Sequence, residues 1–369
     1  MKDKKVLRAK TIELLKTKEL TEQQNKNSEI NLKELKEQKL ILDSYPRRIV
    51  LELTNACNYN CIMCGRSETK FNLQNFNIDW LEKLKDSLYF TEEVTLFGWG
   101  EPTLHPNFID ILKFLDYQTP VKKYFVTNGS QLNKIKEAVF KYKVDILAIS
   151  LDGATSKTND KIRKGANFNK IIANIKDIVE LRGTLNFPYM NFVFVAMQSN
   201  IHELLDMVKL TADLGLEELK VVFLTIFSQD LIKESLYKDM KIADIFENAI
   251  DLADELGIKL KLPYLHGKDP SGSLYHKPCF VGWRDLFIGC DGYIRPCQST
   301  SLKFGKISEY KTFKDVWNSV DFQEFRQRVN NTNDMPYECK MCYQSSHANM
   351  NRKESFIQIG QVFAPDWEK

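Results

Sequence analysis

Residues 47–66 read RRIVLELTNACNYNCIMCGR. The short apolar run Ile49–Leu53 has the length of a buried strand. Directly after it come Cys57, Cys61 and Cys64, in the spacing Cys-x3-Cys-x2-Cys. A loop this short can turn all three thiols inward onto one metal site. Three is the informative number. A structural zinc site takes four ligands. A [4Fe–4S] cube has four irons, so three thiolates leave one iron open to another ligand. The competing readings are a zinc site completed by a distant residue and plain buried cysteines. Geometry disfavours a disulfide within so tight a loop.

The texture of this first strand repeats along the chain. Apolar runs recur at Val94–Phe97, Lys123–Val126, Ile146–Leu151, Asn191–Met197 and Leu219–Leu224. Between them lie helical patterns near Asp79–Leu88, Phe108–Leu115, Leu132–Phe140, Phe168–Leu181, His202–Leu214 and Ile242–Leu256. Strands alternating with helices predict βαβ units and a parallel α/β sheet, curved toward a barrel. In such sheets the site lies at the C-terminal ends of the strands. Before the first strand, residues 1–45 are dense in charge. Val6, Leu7, Ile12, Leu14 and Leu15, then Leu32, Leu35, Leu40 and Ile41, are spaced loosely like helix faces, predicting a solvated helical arm. Around Pro263–Ser273 the chain turns polar and rich in Gly and Pro, which predicts a domain boundary. Beyond it a hairpin is predicted at Asp291-Gly292, followed by short helices over Phe313–Asn318 and Phe322–Val329.

The whole composition is that of an ordinary globular protein, 43% hydrophobic and 27% charged over 369 residues. A net charge of +3 gives no argument for a nucleic-acid or membrane partner. No apolar run is long enough to span a bilayer, and the start lacks the apolar core of a secretory signal. The expected location is the cytoplasm, where thiols stay reduced, so eight cysteines call for a metal, a redox role or burial before disulfides.

The three-cysteine loop after a first βα strand resembles the radical S-adenosylmethionine (radical SAM) superfamily. Three further motifs fall in that family's order at strand ends: Gly98-Trp99-Gly100-Glu101-Pro102, Thr127-Asn128-Gly129 and Ser150-Leu151-Asp152-Gly153, with Arg163 downstream. Trp99 departs from the family's Gly-Gly-Glu-Pro. The resemblance covers residues 47–260. It implies a partial (β/α)6 TIM-like barrel and a cluster on Cys57, Cys61 and Cys64 whose open iron chelates S-adenosylmethionine. It also implies a cofactor site around Gly98, Gly100, Glu101, Asn128, Ser150, Asp152 and Arg163. Glu101 would pair with the cofactor's ammonium, Ser150 with ribose or carboxylate, and Arg163 with the methionine carboxylate. Asn128 and Asp152 would serve the ribose or shape the strand end. Met63 sits where the family has an apolar residue near adenine, and plain packing explains it equally well.

Five cysteines remain. Cys279, Cys297, Cys339 and Cys342 form a four-thiolate set in two pairs, readable as a zinc site or a second cluster. The pattern resembles the SPASM extension of radical SAM enzymes, or its one-cluster form, twitch, because no cysteine follows Cys342. This implies two [4Fe–4S] clusters in all. Cys290 departs from the pattern as a buried thiol, a replacement ligand, or a thiol facing the site. The domains expected are an arm over 1–45, the radical SAM barrel over 46–262, a twitch or SPASM-like domain over 263–349, and a tail over 350–369.

A fully ligated auxiliary cluster has no iron free for substrate, so electron transfer is its expected use, with substrate dehydrogenation as the outcome. Such a reaction needs a base. The candidates are His105, His266, His276 and Asp285, while His202 and His347 are less well placed. An electron donor such as flavodoxin or ferredoxin is implied. Only about 45 residues precede the first motif, which favours a small polar substrate such as a sugar or aminocyclitol over a peptide. The other readings are peptide modification, a nucleic-acid modifier, and a non-enzymatic iron–sulfur or zinc protein.

Overall fold

The computed structural model describes residues 7–8, 18–68, 72–236, 239, 241–263, 279–298, 300, 302–331 and 333–340. Its strands in chain order are β1 (Leu7–Arg8), β2 (Arg48–Leu51), β3 (Glu93–Leu96), β4 (Lys122–Thr127) and β5 (Ile146–Ser150), then β6 (Tyr189–Ala196), β7 (Glu218–Phe223), β8 (Lys259–Leu262), β9 (Asp285–Ile288) and β10 (Ile294–Arg295). The helices are α1 (Glu22–Glu37), α2 (Trp80–Phe90), α3 (Phe108–Gln118), α4 (Leu132–Lys141) and α5 (Ser156–Ile162), then α6 (Phe168–Arg182), α7 (Leu204–Asp213), α8 (Lys241–Leu256), α9 (Phe313–Trp317) and α10 (Val320–Arg328).

Among the described residues, one sheet of ten strands runs β1-β8-β7-β6-β5-β4-β3-β2-β9-β10. From β2 to β8 each strand pairs parallel with the next in sequence, as the alternation of strand and helix requires. Alternation within each strand divides the faces. Ile49, Leu51, Val94, Leu96, Phe125, Phe192, Phe194, Leu219 and Val221 are fully buried in the core. There Phe125 meets Phe108 of α3 edge-on at 5.3 Å between ring centroids. The opposite face is the inside of a partial barrel. The sheet curls enough that Lys220 of β7 lies within electrostatic reach of Arg48 on β2 and Glu93 on β3.

The arm differs from its expected form. Its helix α1 buries Gln24, Asn27, Ser28, Asn31 and Glu34, while Leu32 is 51% and Ile41 61% exposed. The face that docks is polar because it meets backbone. Gln24 Nε2 donates to Thr91 O at 2.6 Å, Asn27 Nδ2 to Tyr45 O at 3.1 Å, and Asn31 Nδ2 to Trp283 O at 2.7 Å. Glu34 accepts from the amides of Asp43 and Ser44. These bonds satisfy loop groups that burial would otherwise leave unpaired. The helix is a strap across loops, not a solvated amphipathic arm.

The strap also ties on the C-terminal part. β9 pairs parallel with β2 and β10 turns back antiparallel, so the predicted hairpin extends the barrel sheet. Behind it Trp283, Trp317, Phe322 and Phe325 form a core. Arg326 is inserted there and 1% exposed, with Nε on Gly282 O, one terminal nitrogen on Leu40 O and the other on Trp317 O, each at 2.7 Å. Its charge is thereby spread over three carbonyls rather than left unpaired. No helix among the described residues is long and apolar enough to cross a membrane.

Candidate active site

The cysteine loop leaves the C-terminal end of β2 and is fastened by backbone hydrogen bonds. Asn60 N donates to Lys164 O and Ile62 N to Ile162 O, at 2.8 and 2.9 Å. From the other side Glu101 N donates to Ala56 O at 2.8 Å. Cys57, Cys61 and Cys64 are partly buried and feel one another's charge. Burial pushes the Cys57 thiol up, and pushes Cys61 up to about 11. Two guanidiniums oppose this: Arg66 acts on Cys57 and Arg163 on Cys61. Among the described residues, the Nε of Arg66 is buried without a hydrogen-bond partner.

The turn 98–101 lies against this loop. A side chain at Gly100 would run into the carbonyl oxygens of Thr54 and Ala56, and one at Gly98 into Glu52. Both positions therefore require glycine. Trp99 turns its ring onto Phe227, edge-on at 5.7 Å. Glu101 is 2% exposed. Its Oε1 accepts from Thr103 N, Thr103 Oγ1 and Thr127 Oγ1 at 3.2, 2.5 and 2.7 Å, and its Oε2 from Asn128 N at 2.7 Å. The carboxylate thus braces the turn to the end of β4, and Oε2, with a single donor, keeps capacity for one more. Desolvation raises its pKa while these four donors pull the other way. Glu101→Ala should lower stability by about 3 kcal/mol or more, since buried donors lose a charged acceptor. Anaerobic denaturant melts check this, and an unchanged midpoint would contradict it.

The other expected cofactor residues divide into two groups. Asn128 faces the loop, with Nδ2 2.9 Å from Asn58 Oδ1 and 3.9 Å from Cys57 Sγ. Ser150, half-buried at the end of β5, has no hydrogen-bond partner for its hydroxyl among the described residues. Asp152 and Arg163 are spent largely on each other, with Nε 2.7 Å from Oδ2. Asp152 Oδ1 also accepts from Val195 N. Arg163 reaches the loop as a neighbouring charge. Met63 packs beside the apolar group of Ile162, Met197, Leu224 and Ile226, in keeping with the packing reading.

Both described base candidates are engaged in other hydrogen bonds. His105 is buried with Nε2 2.9 Å from Phe76 O and Nδ1 accepting from Asn107 N at 3.1 Å, so both nitrogens hold a turn. Burial lowers its pKa. Asp285 opens β9 at the end remote from the loop, and there takes two hydrogen bonds from Arg284. His202 is exposed beside Glu203. His266, His276, His347 and Cys342 lie outside the described residues, as does the tail over 350–369.

In the C-terminal part Cys279, Cys297 and Cys339 are partly buried, whereas Cys290 is a buried thiol. It sits against Glu52, and burial first, then the Glu52 carboxylate, push the thiol far up. Glu52 is the residue that sequence reasoning missed. Its Oε1 accepts from Trp99 N at 2.8 Å and its Oε2 from Cys290 N at 3.2 Å. One buried carboxylate therefore holds the 98–101 turn and the C-terminal hairpin together. The only signal in the sequence was an acid in an otherwise apolar strand end.

Among the described residues, no three Cys, His, Asp or Glu side chains stand together as ligands of a single ion. A [4Fe–4S] cube asks for something else, because each thiolate takes its own iron. Three thiols on one fixed loop, two arginines beside them and a turn that only glycine permits all fit such a cluster with its cofactor.

The family model described as the radical SAM superfamily matches residues 51–211, and one described as an iron–sulfur cluster-binding domain, SPASM, matches residues 279–343. The chain carries a radical SAM domain and a SPASM domain. This radical SAM chain is 24% identical to the AdoMet-dependent heme synthase of Methanosarcina barkeri, over 82% of its own length and 90% of the relative's. It is 27% identical to the antilisterial bacteriocin subtilosin biosynthesis protein AlbA of Bacillus subtilis, over 74% and 60%. Its fold resembles that of SuiB from Streptococcus suis bound to S-adenosylmethionine, with a TM-score of 0.65 at 18% identity, over 84% of this chain and 74% of that one. A radical SAM chain with a SPASM domain is an enzyme that uses S-adenosylmethionine and iron–sulfur clusters.

Proposed function

We propose that the chain is a radical SAM oxidoreductase that dehydrogenates a small polar substrate. Cys57, Cys61 and Cys64 would hold the first cluster, and Cys279, Cys297, Cys339 and Cys342 an auxiliary one. When bound, the first cluster and S-adenosylmethionine supply a 5′-deoxyadenosyl radical that takes a hydrogen atom from the substrate, and the auxiliary cluster supplies an electron acceptor. The turn 98–101 and Asn128 orient the cofactor, and Ser150 offers a free hydroxyl at the rim. The inward faces of β4–β7 hold the substrate and keep water out. The observation that carries the reading is continuity between the two parts: β9 extends the sheet from β2, and Glu52 binds the cofactor turn and the hairpin at once. Reduced thiols and oxygen-sensitive clusters suit the cytoplasm, with a flavodoxin or ferredoxin as electron donor.

The strap α1 supports a small substrate, because its polar face is occupied by the chain's own loops. Peptide modification is the second reading, favoured by the likeness to a bacteriocin biosynthesis protein. The test is anaerobic turnover with polyol, amino-sugar and peptide candidates in deuterated water, followed by mass spectrometry. A product lighter by two hydrogens is expected. A product of unchanged connectivity carrying solvent deuterium would overturn dehydrogenation in favour of epimerisation.

A further inference from the structure

Glu52 follows the last residue of β2 and is 6% exposed. Its amide donates to Ile288 O at 2.9 Å, which completes the pairing of β2 with β9. Leu51 and Leu53 on either side are buried in the core, so the Glu52 side chain turns to the opposite, inner face. There its two oxygens are divided. Oε1 accepts from Trp99 N at 2.8 Å, on the 98–101 turn, and Oε2 from Cys290 N at 3.2 Å, on the hairpin. Its stem fills the space beside Gly98, where an added Cβ would lie 2.4 Å from Glu52 Cγ.

The turn therefore has two anchors. One belongs to the barrel: Glu101 N donates to Ala56 O, and the Glu101 carboxylate reaches Thr127 and Asn128. The other is Glu52, which the turn shares with the C-terminal part. The chemistry of the shared anchor is specific. Two N–H donors need two acceptor oxygens, and an ionised carboxylate presents both without a proton of its own. A glutamine of the same shape offers one oxygen and one NH2, and the NH2 would face an N–H. Both bonds end on one rigid, buried group, so a shift of either amide is felt by the other.

We propose that Glu52 is a positioning residue for S-adenosylmethionine. It sets the 98–101 turn through Trp99 N and carries occupancy of the cofactor site to the hairpin through Cys290 N. The inference rests on reading that turn as part of the cofactor site. Linkage makes the effect reciprocal: a hairpin held in place favours the cofactor, and a bound cofactor holds the hairpin. The part that is to accept the electron is thereby made firmer when the cofactor that starts the reaction is in place.

Hydrogen exchange of the iron-loaded protein, followed anaerobically by mass spectrometry with and without S-adenosylmethionine, reads this link. In wild type the cofactor should slow exchange at Trp99 and, beyond it, at Cys290. Phe304 is the control, since its amide donates to Ile294 O in the same hairpin without touching Glu52, and it should not slow. Glu52→Gln should keep its iron and lose the cofactor's effect at Cys290. It should bind S-adenosylmethionine roughly tenfold more weakly, with an unchanged rate of 5′-deoxyadenosine formation at saturating cofactor. Glu52→Asp keeps both oxygens on a shorter stem and replaces Glu52→Gln if that variant does not fold, with part of the same loss expected. The proposal is overturned if the cofactor slows Cys290 and Phe304 alike, which is general stabilisation, or leaves Cys290 unchanged. It is equally overturned if a folded Glu52→Gln variant keeps either its cofactor affinity or the effect at Cys290. Electron paramagnetic resonance of the same samples separates the two readings. A spectrum that responds to the cofactor while Cys290 does not sinks this proposal alone, whereas a spectrum that ignores the cofactor sinks the cofactor site itself.

Discussion

Replacing Cys57, Cys61 and Cys64 together by alanine should abolish formation of 5′-deoxyadenosine and lower the iron content from about eight to about four per chain. The variant should stay folded. The loop is held by Asn60 and Ile62 on the 162–164 segment and by Glu101 on Ala56, none of which involves a thiol. The remaining four irons would belong to the auxiliary cysteines. Iron analysis and chromatography of the nucleoside after anaerobic reduction measure both effects. About four irons in well-reconstituted wild type would sink the two-cluster assignment.

Removing auxiliary ligands should have the opposite pattern. A Cys279→Ala/Cys339→Ala variant should still cleave S-adenosylmethionine, since the 57–64 loop and the 98–101 turn keep their supports. Oxidised product should fall to trace levels, because the electron left on the substrate has no acceptor. A purely structural role for these thiols predicts that both activities fail together with the fold. The C-terminal part is packed into the same core as the barrel, however. Phe304 meets Phe322 edge-on at 4.7 Å, Trp317 meets Phe322 at 4.9 Å, and Arg326 lies over Trp317 at 4.6 Å. Tryptophan fluorescence of the variant should therefore remain native. Normal product from a folded variant would defeat electron transfer and structural support alike.

The barrel was legible in the sequence because its strands are apolar on the helix side and its helices carry regular apolar stripes. Six strands and six helices fall where those runs lie, from β2 to β7 and from α2 through α4 and α6 to α8. The elements that escaped have reasons. β8 reads Lys-Leu-Lys-Leu, with lysines on its inner face, and resembles a solvated segment. The strap α1 buries amides and a carboxylate, which hydrophobic periodicity cannot detect, and shows Leu32 to solvent. The cysteine loop and the glycine turn were legible because metal ligation and close approach restrict residue type. Glu52 was not, since an acid in a strand looks the same whether it faces water or a barrel interior. The partners of His105 and Asp285 were not legible for a related reason, in that proximity to a motif says nothing about which hydrogen bonds a side chain already makes.

The electron paramagnetic resonance spectrum of the reduced, iron-loaded protein, recorded with and without S-adenosylmethionine, tests the open iron at the 57–64 loop. The signal should change on adding the cofactor, because three thiolates leave the fourth iron to it. That change should vanish in the Cys57→Ala/Cys61→Ala/Cys64→Ala variant, while the auxiliary signal persists. A fully loaded wild-type protein whose spectrum is indifferent to the cofactor would contradict the assignment.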